Sequence, residues 1–247
     1  MSDDLARLVE SVLAGRVRAV VGRLTLGHTD AGEFGDAAVQ VAAELVDPAV
    51  LHRLHPAEQH FVARSVPARR NEFAAGRACA HRCLVGIGCD TSVVAIGHRG
   101  APQWPVGVTG SIAHTATLAA AAVVRVATGS LLSSGIGIDL EARGAIDAEL
   151  WPAILTPAEQ SMCAAAGAAA DLATVCFSVK EAWFKAQYPA TGIELDFLDV
   201  GFALDPDGQV TSTGTVRTLG QLDSALPQRG RVAWAVVNGL VVTVAGW

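Results

Sequence analysis

The hexapeptide Leu54-His-Pro-Ala-Glu-Gln59 returns as Leu155-Thr-Pro-Ala-Glu-Gln160, with five of six residues identical and 101 positions between the copies. A proline just inside a helix start, with an acid in the first turn, opens a helix. A helical segment follows each copy: Arg70 to Arg77 after the first, and Phe177 to Lys185 after the second, delayed by the alanine-rich insert Ala164 to Ala170. Each half then ends in paired apolar β segments. These are Thr117–Val126 with Gly135–Glu141 in the first half, and Val232–Val237 with Leu240–Val244 in the second. The last two are joined by Asn238-Gly239, a strong hairpin signal. The repeat therefore predicts two α+β lobes of similar plan, residues 1–130 and 131–247, with the boundary at the Gly129–Ser134 turn. Two lobes make a cleft where they meet, a common place for a ligand, and the acidic strand Ile138–Glu141 opens the second lobe there.

Composition narrows the class. Of 247 residues, 51% are apolar and 17% charged, the balance of an ordered, compact chain. A net charge of −6 excludes a generally basic nucleic-acid binder and leaves room only for a local basic patch. The N-terminal MSDDLARLVESVLAG carries acids where a signal peptide needs basic residues and reads as an amphipathic helix. The longest apolar stretch, near Leu118 to Val124, is far too short to span a bilayer, so a cytoplasmic protein without membrane contact is expected. Five cysteines give no disulfide framework. Cys79 and Cys83 flank His81 but lack further metal ligands nearby, and read as small, reduced, buried residues.

The chemistry concentrates in GIGIDLEARG, Gly135 to Gly144. On a strand, Asp139 and Glu141 share a face about 7 Å apart. Two like charges there repel unless something positive intervenes. Hard carboxylate oxygens suit Mg²⁺ or Ca²⁺; a solvated face or salt bridges to arginines are the structural alternatives. Glu181 offers a third acid, on a helix Ser178–Ala186 where it shares a face with Lys185 one turn on, with Phe177 and Phe184 expected to anchor that helix. Arg64, Arg69, Arg70, Arg77 and Arg82 crowd into 19 residues of a chain holding only 18 Lys and Arg. Such a concentration suits a polyphosphate ligand, or else a solvated helix face. His114, in Gly110-Ser-Ile-Ala-His-Thr115, falls just before a β segment, where a satisfied core histidine is the ordinary reading.

Together these pieces resemble one family. GIDLE (Gly137–Glu141) followed by FSVKEAWFK (Phe177–Lys185) is similar to the paired signature of the 4′-phosphopantetheinyl transferases. ARSVPARRNEFAAGR (Ala63–Arg77), RGAPQWP (Arg99–Pro105) and GSIAHT (Gly110–Thr115) resemble its siderophore-associated and actinobacterial subgroup. The resemblance implies a monomeric, two-lobed pseudo-dimer with the active site at the lobe interface. It implies coenzyme A as co-substrate, with Mg²⁺, or Mn²⁺ in its place, and apo acyl or peptidyl carrier proteins as partners. The phosphopantetheine arm would pass to a carrier serine, releasing adenosine 3′,5′-bisphosphate. Asp139, Glu141 and Glu181 would hold the metal. Lys185 would neutralise the transferring phosphate, with Lys180 assisting, and Glu181 or water would take the serine proton. His114, Arg64, Arg70, Arg77 and Arg99 would contact coenzyme A phosphates. Two positions depart from the family pattern: Ala113 stands where Ser or Thr is frequent, and Arg99 where Lys is.

Overall fold

The computed structural model describes residues 4–12, 14, 39–89, 93–126, 135–166, 169–204, 213–219 and 227–247. The expected lobe boundary at 130/131 lies outside the described residues. Helix α1 covers residues 4–12. The first lobe continues with β1 (Val39–Leu45), α2 (Pro56–Gln59), α3 (Pro67–Gly86), β2 (Ala95–Ile96), β3 (Pro102–Gln103), β4 (Val108–His114) and β5 (Leu118–Arg125). The second contains β6 (Ile136–Ala142), α4 (Trp151–Ile154), α5 (Pro157–Ala165), α6 (Ala169–Thr191), β7 (Val200–Leu204), β8 (Thr213–Thr218), β9 (Arg229–Val237) and β10 (Leu240–Gly246).

Two antiparallel sheets result, ordered β1-β5-β4 and β6-β10-β9-β8-β7, beside a small β2-β3 pair. The predicted β9–β10 hairpin is present. Asn238 and Gly239 both take positive φ, 47° and 80°, as a two-residue turn matched to strand twist requires. The expected pairing of Thr117–Val126 with Gly135–Glu141 is not formed. The all-buried run of β5 is a central strand between β1 and β4, and β6 pairs instead with the distant β10.

Period-2 alternation distributes the side chains over three cores. Helix α3 covers one face of the three-stranded sheet, Phe73, Ala74 and Leu84 packing on Ala119, Ala121 and Val123. Helix α6 covers one face of the five-stranded sheet, Val179, Ala182 and Trp183 packing on Val232, Val241 and Ala245. The opposite faces share a third core, in which Leu118, Ala120, Ala122 and Val124 meet Ile136, Ile138, Leu140, Val242 and Val244, joined by Val9 of α1. Cys79 and Cys83 are buried thiols whose S–H groups point at the carbonyls of Ala119 and Ala121.

The repeated hexapeptide does the same job in both lobes. Pro56 and Pro157 each open a short helix, and Gln59 and Gln160 donate to the carbonyls of Leu54 and Leu155. Glu58 is wholly buried and accepts the Val94 N–H at 2.7 Å, with His81 at 2.9 Å and Arg77 of α3 at 3.9 Å. Glu159, equally buried, accepts the Phe202 N–H at 2.8 Å and the Lys180 ammonium of α6 at 2.7 Å. In each lobe one acid thus ties the long helix to the chain that follows it. A buried charge needs such a partner, which accounts for the identical acids.

Candidate active site

Helix α6 presses against β6 at Gly137, where any Cβ would overlap the carbonyl oxygen of Ala182 and stand 2.7 Å from the Ala186 nitrogen. Only glycine permits that approach. It carries Glu181 and Lys185 to the face of β6 that displays Asp139 and Glu141. Asp139, 3% exposed, accepts the Lys185 ammonium at 2.5 Å through Oδ1. Its other oxygen, Oδ2, is buried with no hydrogen-bond partner. Burial pushes the Glu141 carboxyl up to about 7, Asp139 and Glu181 adding to the rise against the pull of Lys185. Burial also raises Glu181, opposed by Lys185 and reinforced by Asp139. Burial alone would lower the Lys185 ammonium, yet Asp139, helped by Glu181 and Glu141, carries it above the ordinary lysine value. Lys185 thus contacts Asp139 and acts on Glu141 and Glu181 only through its charge.

Facing this group across the lobe junction is His114, the last residue of β4. Its Nε2 stands 2.6 Å from Arg69 Nη1 and its Nδ1 3.7 Å from Glu72. Burial and then the Arg69 charge lower its proton affinity, and Lys185 and Asp139 both act on it. The edges of β4 and β6 run together, the Ile138 N–H donating to Ser111 Oγ at 3.0 Å. Beside them opens a cleft of about 230 Å³ lined by residues of both lobes, among them Arg99, Ser111, Glu181, Phe184, Lys185 and Tyr188.

The structure brings together Asp139, Glu141, Glu181, Lys185 and His114, with Arg99 on the cleft wall. Arg99 sits at φ 53° and pairs with Glu194 at 3.1 Å. Arg64 and Arg70 are exposed near the start of α3. Two residues lie elsewhere. Arg77, 5% exposed, stacks over Phe73 and donates to the Val94 carbonyl at 2.9 Å, so a phosphate cannot reach it without unpicking that core. Lys180, 2% exposed, is spent on Glu159 and on the carbonyls of Ile154 and Phe197. Trp183, fully buried, anchors α6, whereas Phe177 and Phe184 are only half-buried and Phe184 lines the cleft. Arg69, rather than its neighbour Arg70, is the arginine that meets His114; the 100° turn between adjacent helical residues decides this, and spacing from His114 in sequence could not. Tyr188 was also missed, although it lies one turn beyond Phe184 on the same helix face.

The carboxylates supply hard oxygen donors, and the orphaned Asp139 Oδ2 is an acceptor awaiting a partner, as a divalent cation would require. Among the described residues no three Asp, Glu, His or Cys side chains are gathered closely enough to coordinate an ion; Lys185 occupies Asp139 instead.

Comparison with known proteins decides the family. Residues 57–124 match the 4′-phosphopantetheinyl transferase N-terminal domain, and residues 135–245 match the 4′-phosphopantetheinyl transferase superfamily. The chain is 39% identical over 203 residues to 4′-phosphopantetheinyl transferase Svp of Streptomyces mobaraensis, covering 80% of this chain and 79% of Svp. It is 35% identical to 4′-phosphopantetheinyl transferase PptT of Mycobacterium tuberculosis, over 90% of this chain and 97% of PptT. The chain belongs to the 4′-phosphopantetheinyl transferase superfamily. A third member, Npt of Nocardia iowensis, is 30% identical over 83% of this chain and 95% of its own length. Transfer of the phosphopantetheine arm of coenzyme A to carrier proteins is the reaction of this family. The two matched regions fall on the two lobes, and the cleft lies between them. No helix among the described residues is long and apolar enough to cross a membrane.

Proposed function

We propose that this chain moves the 4′-phosphopantetheine arm of coenzyme A to a serine of an apo acyl or peptidyl carrier protein in the cytoplasm, as a monomer whose lobes form an internal pseudo-twofold. Asp139, Glu141 and Glu181 would hold Mg²⁺, or Mn²⁺ in its place, once Lys185 has left Asp139 and the three carboxylates have drawn together. When bound, the ion acts as a Lewis acid on the pyrophosphate and neutralises charge on the leaving adenosine 3′,5′-bisphosphate. Lys185 neutralises the phosphate in transfer. Glu181, whose proton affinity is already raised, would take the serine proton, with water as the alternative base. His114 and Arg99 contact coenzyme A phosphates from the first lobe, with Arg69 backing His114; Arg64 and Arg70, exposed beyond them, reach the outer phosphates or the acidic carrier.

The observation that supports this reading is the surplus of negative charge around Lys185: an orphaned Asp139 oxygen, and Glu141 lifted to about 7. Such a surplus favours an added cation, and Arg99 opposite suits a phosphate. Intact-mass spectrometry of apo carrier proteins with coenzyme A, Mg²⁺ and the protein tests it. A gain of about 340 Da on a carrier, the mass of the covalent arm, is the expected result, and its loss with a chelator assigns the metal. No gain on a broad panel, or release of the bisphosphate without any carrier, overturns it.

A further inference from the structure

Arg99 is one of two non-glycine residues with positive φ among the described residues, the other sitting in the β9–β10 hairpin turn. That conformation is strained for an L-residue, so the surroundings must hold it. The turn His98–Gly100 is closed on itself by backbone bonds, Gly97 to Ala101 at 2.7 Å and Ala101 to His98 at 3.2 Å. It is then fastened to the other lobe at two points. Arg99 Nε meets Glu194 at 3.1 Å, exposed on both sides. His98 Nδ1 meets the Tyr188 hydroxyl at 2.6 Å in a half-buried setting.

The second fastening is the stiffer. Tyr188 is 7% exposed, and its ring stacks on Phe184 at 5.0 Å and 22°. The His98 ring continues the stack at 6.5 Å and 22°. Phe184 and Tyr188 are one turn apart on α6, on the stretch that carries Glu181 and Lys185. One helix therefore carries both Glu181 and Lys185 and, through the Tyr188 hydroxyl, a fastening of the turn that bears Arg99. An exposed arginine–glutamate pair contributes little by itself, which leaves the hydroxyl as the stronger of the two fastenings to the other lobe.

We propose that Tyr188 is a positioning residue: its hydroxyl, acting through His98, holds Arg99 at the wall of the cleft so that its guanidinium is pre-set for an anionic group of coenzyme A. This rests on the reading of Arg99 as a coenzyme A contact. Pre-setting a binding group raises affinity by removing the cost of ordering it at the moment of binding. The hydroxyl touches no reacting atom, so the turnover step does not depend on it.

Tyr188→Phe keeps the ring stack and removes only the hydroxyl. Titration calorimetry with coenzyme A alone should show about two- to tenfold weaker binding, the range for one lost hydrogen bond. Steady-state kinetics should show KM for coenzyme A rising by a similar factor, with kcat and the carrier KM within twofold of wild type. His98→Ala should match it, and the Tyr188→Phe effect should vanish in an Arg99→Ala background, because the two act in series. Equal coenzyme A affinity in wild type and Tyr188→Phe overturns the proposal, as does an effect that persists when Arg99 is absent. A fall in kcat together with melting temperature marks Tyr188 as merely structural and overturns it too. Wild-type protein that binds no coenzyme A overturns the underlying functional reading, and this proposal with it.

Discussion

At the scale of single residues, the acids of the site should reveal themselves through pH. The folded Glu141 carboxyl lies near 7, against an ordinary value of 4.5. Between those values the folded protein holds a proton that the unfolded chain has released, so stability falls as pH rises through that window and levels above it. Glu181 is shifted in the same direction and adds to the slope. Glu141→Gln removes the burden: its melting temperature should exceed wild type clearly at pH 8 and by much less at pH 5. A gap that does not change with pH refutes this. Added Mg²⁺ at pH 8 should raise the wild-type midpoint more than that of the variant. Glu181 carries a second expectation, because it is offered both as ligand and as base. Glu181→Gln keeps the size and one ligand oxygen but cannot take a proton at neutral pH. It should lose clearly more turnover than Asp139→Asn at saturating Mg²⁺ and coenzyme A, with partial recovery as pH rises. Equal losses with parallel pH profiles leave the proton to water.

At the scale of elements, the repeated acids make the strongest prediction. The side chains of Glu159 and Lys180 are each 1% exposed and meet at 2.7 Å. Glu159→Ala leaves a buried ammonium uncompensated and should cost about 3–5 kcal/mol in urea unfolding, while replacing the pair by Leu and Met should cost far less. Similar costs for single and double replacement would show the pair is not coupled. The hexapeptide was legible because Pro at a helix start and a recurring acid are local signals, and it announced two lobes correctly. What the acid does was not legible, since its partners Val94 and Phe202 lie 36 and 43 residues away. The same limit explains Arg77 and Lys180. Sequence shows that they are cations on promising helices, but only packing shows that Glu58 and Glu159 have claimed them. Strand existence was likewise local, and strand pairing was not. Consecutive β5 and β6 look like partners, yet β5 lies between its neighbour β4 and the distant β1, and β6 takes the distant β10. Gly137 is legible in the sequence as part of a motif; its reason, the contact with the Ala182 carbonyl, needs α6 in place.

At the scale of the whole molecule, the lobes are not independent units joined by a cleft. Ile138 and Leu140 on β6 point into a core shared with Leu118, Ala120 and Ala122 of the other lobe, while Asp139 between them points to the site. The strand that presents the acids is thus also the seam of the molecule, and the alternation of one strand separates the two tasks. Separating the lobes would expose both inner faces, so they should unfold together. Trp104 reports on the first lobe and Trp183 on the second, each in its own core. Ile138→Ala removes a fully buried side chain and should cost about 2–5 kcal/mol. The loss should appear as one earlier transition in which amides of β5 and of β10 lose protection from hydrogen exchange in parallel. Two separate transitions, with β5 protected after β10 has opened, would contradict a common core. Transfer activity below the transition should be nearly intact, because Ile138 faces away from Lys185. A disproportionate loss of activity in the still-folded variant would mean that the shared core also sets the spacing of the lobes across the cleft.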